Sequence, residues 1–205
     1  MIRRLPPTST DERPEHVPTT TLNGVDRAAL SATLDAVREK PALAQVSFTL
    51  NSAWSSGCHQ RSQTGEMRQN GEIVAGRESR YVLESDEPAA LLGTDKAPNP
   101  GEYVLQALAG CYAVTYATNA AMRGIELSSL KLELEVDFDL QGFFDLDGSV
   151  RPGAQQVRVN VHAESPNASS EQLRALTDAV RRRSPIGDTL ANPVDVVTTL
   201  VETSR

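Results

Sequence analysis

"NPGEYVLQALAGCYAVTYATNAAMRG", residues 99–124, is the stretch on which the reading of the whole chain turns. From Tyr103 to Met122 it runs for 20 residues without a charge, and near the middle stands Cys111, one of only two cysteines in the chain. Its ends carry helix signals. Asn99 is a capping residue, Pro100 suits a first turn, Glu102 stands where a capping box places an acid, and Gly124 falls just past a last turn. The stretch is therefore expected to form one helix of about 24 residues and about 36 Å, long enough to cross a small domain. That length approaches a membrane span, but Gln106, Thr115, Thr118, Asn119 and the many alanines make it too weakly apolar to insert. A helix enclosed by protein accounts for it better.

Outside this stretch the composition is that of a globular domain. The 205 residues suffice for one ordinary core, with 39% hydrophobic and 23% charged side chains. A net charge of -7 argues against nucleic acid or an anionic membrane surface as a partner. Two cysteines cannot build a disulfide framework, so a reducing cytoplasm is the expected compartment. The first residues are basic but lack an apolar core segment, which does not fit a secretory signal. With Pro6, Pro7, Pro14 and Pro18 and few large apolar groups, residues 1–21 read as a disordered or loosely attached leader.

The remaining pattern mixes two periods. Val25, Ala29, Leu30, Leu34 and Val37 form one helical stripe, so an N-terminal helix is expected within 22–41, stopped at Pro41. Val46, Phe48 and Leu50 alternate as in a strand, and a turn with an exposed strand follows over 55–79. After Gly124 the alternation is strict, with Leu130, Leu132, Leu134, Val136, Phe138 and Leu140 on one face. Val157, Val159 and Val161 repeat it, so these two strands should pair antiparallel across the loop 141–154. An amphipathic helix capped by Ser169 or Ser170 and a last strand, "VDVVTTLVE", complete the chain. Helices and antiparallel strands in one chain define an α+β domain filling 42–205.

Catalytic templates are few. There is no phosphate-binding glycine loop and no nucleophile elbow, and His16, His59 and His162 lack zinc spacing, so neither a cofactor nor a metal is expected. Cys58 and His59 are adjacent, but neighbours on a strand point to opposite faces. Cys111 leaves two readings open. Its neighbours at helical spacing, Val104, Ala107, Leu108, Thr115 and Thr118, are small or apolar, as around a core cysteine acting as a small hydrophobe. It also lies about three turns into its helix, beyond the reach of that helix's own N-terminal dipole. A reactive thiol there needs a cation from elsewhere, and the candidates are the cluster Arg181, Arg182 and Arg183 or the region of His59 and Arg61.

The block "DEPAALLGTDKAPNPGEYVLQALAGCYAVTYATNAAMRGIEL", residues 86–127, together with "RRRSPIGDTLANPVDV", residues 181–196, resembles the OsmC/Ohr family of osmotically inducible and organic hydroperoxide resistance proteins. Its mark is Asn-Pro, ten intervening residues, a cysteine, and a downstream Asn-Pro-Val, and the resemblance covers residues 45–201. It implies an intertwined homodimer in which antiparallel sheets wrap around long central helices. In peroxidatic members the helix cysteine attacks a hydroperoxide and becomes a sulfenic acid. A second cysteine condenses with it, and a thiol reductant restores both.

Carried onto this chain, the resemblance puts Cys111 at the peroxidatic position, with Glu102 and Arg61 nearest to the acidic and basic helpers. The position of the second cysteine is held by Ser184. Peroxidatic members have Glu directly after the proline, where this chain has Gly101, and Glu102 is about 100° further round the helix. Two functions follow from the resemblance. One is a one-cysteine peroxidase for organic hydroperoxides, with Cys58 or an external thiol reductant as the resolving thiol. The other is a non-catalytic dimer that binds a small apolar ligand or a partner at the intersubunit cleft.

Overall fold

The computed structural model describes residues 21–202. The expected leader, 1–21, therefore lies outside the described residues except for Thr21. A small antiparallel hairpin, β1 (Thr21–Leu22) and β2 (Val25–Asp26), leads into α1 (Arg27–Glu39), which Asp26 caps through the backbone N–H groups of Ala28 and Ala29. A long antiparallel hairpin follows, β3 (Val46–Ser56) and β4 (His59–Gln69), and β4 also pairs with β5 (Glu72–Ile73) and β6 (Val82–Ser85). All of β3 is exposed, including Phe48 at 66% and Trp54 at 75%. A strand bare on both faces and along one edge is unusual for a finished fold.

Between β6 and the central helix the chain turns on one buried carboxylate. Asp86 accepts hydrogen bonds from Thr94 Oγ1 (2.6 Å) and from the backbone N–H groups of Glu87, Thr94 and Lys96. These donors, the Thr94 hydroxyl above all, lower its pKa from the ordinary 3.8 to about 2. The loop so fixed delivers the chain to α2 (Pro100–Met122). There Asn99 and Glu102 form a reciprocal capping box, each side chain taking the other's backbone N–H at 2.8 Å.

The antiparallel pair β7 (Ser129–Asp137) and β8 (Gln156–Glu164) packs on α2, in a register that sets Leu132 against Val161 and Leu134 against Val159. Helix α3 (Leu140–Phe143) lies in their connection, and α4 (Ser170–Arg183) and α5 (Pro185–Ala191) end the ordered elements. The core is made where α2 meets α4. Tyr116, Ala120, Leu176 and Val180 are fully enclosed, and the Tyr116 hydroxyl bonds to Thr177. Burial pushes the Tyr116 phenol above its usual pKa. Among the described residues no helix is long and apolar enough to cross a membrane.

Two expected strands end differently. The alternation through Phe138 and Leu140 outruns β7, which stops at Asp137, because Asp139 caps α3 and turns the backbone. The expected last strand, 194–202, is not formed. Val196, Val197 and Leu200 are each at least 85% exposed, and among the described residues no strand pairs with them. Strand periodicity yields a strand only where an edge accepts it.

The Asp86 cluster sets a pH dependence. Its folded-state pKa lies below the ordinary value, so its stabilisation is fully present above about pH 4 and is lost as pH falls toward 2. Asp86→Asn should lower the melting temperature at pH 7. The gap to wild type should narrow between pH 4 and 2 in thermal melts followed by circular dichroism.

Candidate functional site

The corner between α4 and α5 is built by one residue. Ser184 closes α4, its N–H reaching Val180 O at 2.9 Å, and caps α5 by accepting the N–H of Gly187 on its hydroxyl oxygen at 3.1 Å. Pro185 follows at the first helical position, where its missing N–H costs nothing. The Ser184 side chain is completely buried. Gly187 N–H takes one lone pair of the hydroxyl oxygen, and the hydroxyl proton is directed at another acceptor.

That acceptor is Cys111. Ser184 Oγ–H points at Cys111 Sγ at 3.1 Å, and the backbone N–H of Ile186, in the first turn of α5, reaches the same sulfur at 3.5 Å. Two donors therefore converge on a half-buried free thiol. Cys111 lies about three turns into α2, and it is the first turn of α5 that brings a backbone N–H to its sulfur. The pair Ser184-Pro185 is the sequence signal for this cap, legible as a capping residue followed by a first-turn proline.

Cys111 opens on a groove of about 760 Å3, walled by Ala107, Gly110, Val114, Thr118, Pro185 and Ile186. Among the described residues, the one charged side chain lining it is Arg183. Its Nη1 donates to Asn119 Oδ1 at 2.9 Å, Asn119 Nδ2 donates to Thr115 O, and Thr115 Oγ1 donates to Cys111 O. This ladder runs down one face of α2 and ties the guanidinium to the helix that carries the thiol. Of the cations singled out from sequence, Arg183 belongs to this groove.

The other expected helpers stand elsewhere within the chain. Arg61 is on β4, 63% exposed in its side chain, 3.6 Å from Glu84 Oε1 and beside Asn51 and Ala53. Glu102 is exposed and engaged in the capping box. Cys58, in the β3–β4 turn, faces Leu92 O at 3.7 Å and lines an apolar hollow of about 300 Å3 with Phe143 and Phe144. That hollow shares no lining residue with the Cys111 groove. The Gly101 position is filled from outside, since a Cβ there would lie 3.1 Å from the Phe138 ring. No group of three or more His, Cys, Asp or Glu among the described residues is arranged to hold a metal ion.

The long helix α2 packs against α4 and the β7–β8 sheet and carries Cys111 at its middle, on the face that lines the groove. The family model described as OsmC-like protein matches residues 93–199, just over half of the chain, and the chain belongs to that family. The fold is similar to that of an OsmC-like protein from Mycoplasma pneumoniae, with a TM-score of 0.55 at 16% identity over 71% of this chain and 87% of that one. It is also similar to an OsmC-like protein from Vibrio cholerae, with a TM-score of 0.54 at 10% identity over 70% of this chain and 92% of that one. Among curated proteins, none matches the chain in sequence.

The Ser184 contact predicts two separable results. Ser184→Ala removes a buried cap and should cost about 1 kcal/mol in denaturant unfolding. Ser184→Cys puts a second sulfur against Cys111. On oxidation this variant should lose two hydrogens by mass spectrometry and retain only the Cys58 thiol, whereas wild type forms no such internal link.

Proposed function

We propose that the chain is a thiol-dependent peroxidase that reduces organic hydroperoxides at Cys111. The observation that supports this most is the Cys111 sulfur itself, which faces an open, largely apolar groove under two hydrogen-bond donors, with Arg183 on the same groove. Negative charge on that sulfur, as thiolate, would be held by Ser184 Oγ–H and Ile186 N–H. Thiolate sulfur attacks the outer peroxide oxygen, the O–O bond breaks, and the alkoxide leaves as alcohol with one proton. Cys111 is then a sulfenic acid and the peroxide has been reduced by two electrons.

Ser184 cannot form a disulfide. An external thiol therefore condenses with the sulfenic acid, releasing water and forming a mixed disulfide, and a second thiol frees Cys111 as a new disulfide leaves. The two free cysteines suit a reducing compartment such as the cytoplasm. A non-catalytic ligand-binding dimer is the second reading. It is favoured by the Phe138 ring at Gly101, where peroxidatic relatives carry their carboxylate.

Consumption of cumene hydroperoxide with dithiothreitol or glutathione separates the two. Wild type should consume peroxide catalytically, Cys111→Ser should fall to the uncatalysed rate, and Cys58→Ser should keep most of the activity. A wild-type rate no higher than that of Cys111→Ser with either thiol sinks the peroxidase.

A homodimer is part of the same reading. The bare strand β3, Val114 on α2 (68% exposed) and the apolar tail around Val196 and Leu200 leave large hydrophobic groups in water, which is the surface a second copy would cover. Light scattering at micromolar concentration should return twice the mass of the chain, and a monomer would contradict the assembly.

A further inference from the structure

About a quarter-turn round α2 from the Cys111 groove, a second cavity of about 490 Å3 opens between α2, β8 and α5. The two share no lining residue. Its floor is Leu108 and Tyr112, both buried, and its wall is Val157 and Val159. Phe138 and Leu190 stand at its rim, each nearly half exposed. Apolar walls, a size within the usual range for small-molecule sites, and a few polar groups at one end are what such a site requires.

The polar end is built. Residues 151–155 form a turn in which Gln155 Nε2 donates to Arg151 O and Gly153 O, and Gln155 N–H donates to Asp137 O. The Arg151 guanidinium lies close over Gly153, where a Cβ would come within 2.9 Å of one of its nitrogens. The turn thus seats the Arg151 side chain over a glycine at the mouth. Arg158 on β8 is neutralised by Glu135 and Asp137, whereas Arg151 forms no ion pair among the described residues. Among the described residues no carboxylate lines the cavity.

We propose that this cavity binds a small apolar monocarboxylate, its hydrocarbon part against Leu108, Val157 and Leu190 and its carboxylate on Arg151. An arginine fork meeting a carboxylate gives two charge-assisted hydrogen bonds, which an alcohol of equal length cannot reproduce. The buried body supplies the rest through loss of exposed apolar surface. This site is independent of the peroxidase reading, since none of its residues takes part in the chemistry proposed for Cys111.

The test is calorimetric titration of the full chain with octanoate, 1-octanol and octylamine. Octanoate should bind at least about tenfold more tightly than octanol, with octylamine weakest. Arg151→Gln should bring octanoate down to the octanol level and leave octanol unchanged, while Leu190→Trp, at the exposed rim, should block both. Cys111→Ser should bind octanoate as wild type does, so loss of peroxidase activity and loss of this site are read separately. Equal affinity for octanoate and octanol, wild-type octanoate affinity in Arg151→Gln, or no binding of any of the three by the assembled protein would overturn the assignment.

Discussion

Burying α2 is the constraint to which the rest of the structure answers. A 23-residue helix with its one acidic group in the first turn cannot face water along its length, so other elements must be brought against it. Helix α4 supplies Leu176 and Val180, and the sheet of β7 and β8 supplies alternating leucines and valines. Burial at about 25 cal/mol per Å2 of apolar surface makes this packing the main favourable contribution. It also leaves one part of α2 uncovered within the chain, and that is the face on which Cys111, Val114 and Thr118 line the groove.

The chemistry depends on how α4 hands over to α5. A chain leaving one helix and starting another must satisfy the last carbonyls of the first and the first N–H groups of the second. Ser184 serves both ends, and its remaining proton, with the N–H of Ile186, is directed at Cys111. Ser184 thus joins the helix corner to the sulfur of α2. The ladder from Arg183 through Asn119 and Thr115 ties the guanidinium beside the groove to the same helix.

Much of the fold was legible because its signals are local. The caps of α2 and α4 are written in Asn99, Glu102 and Ser169, and the alternation from Leu130 to Val136 announces a half-buried strand. Where the reading failed, the deciding partner was not local. Phe138 continues the alternation but turns to the first turn of α2, because Gly101 leaves room for its ring. Residues 194–202 read as a strand but pair with no strand among the described residues. At the site, the setting of Cys111 left two readings open and the family resemblance singled it out, whereas the Ser184 donor spans 73 residues and Arg183 reaches α2 over 64. Contacts of that range are set by packing.

The central claim is that Cys111, rather than Cys58, is the sulfur that meets peroxide. It is tested most directly by adding substoichiometric cumene hydroperoxide to the reduced protein, trapping with dimedone, and mapping the adduct by peptide mass spectrometry. The account predicts the adduct on the peptide containing Cys111, with Cys58 unlabelled. Label on Cys58 alone, or none on either cysteine while the peroxide disappears no faster than in buffer, would contradict it.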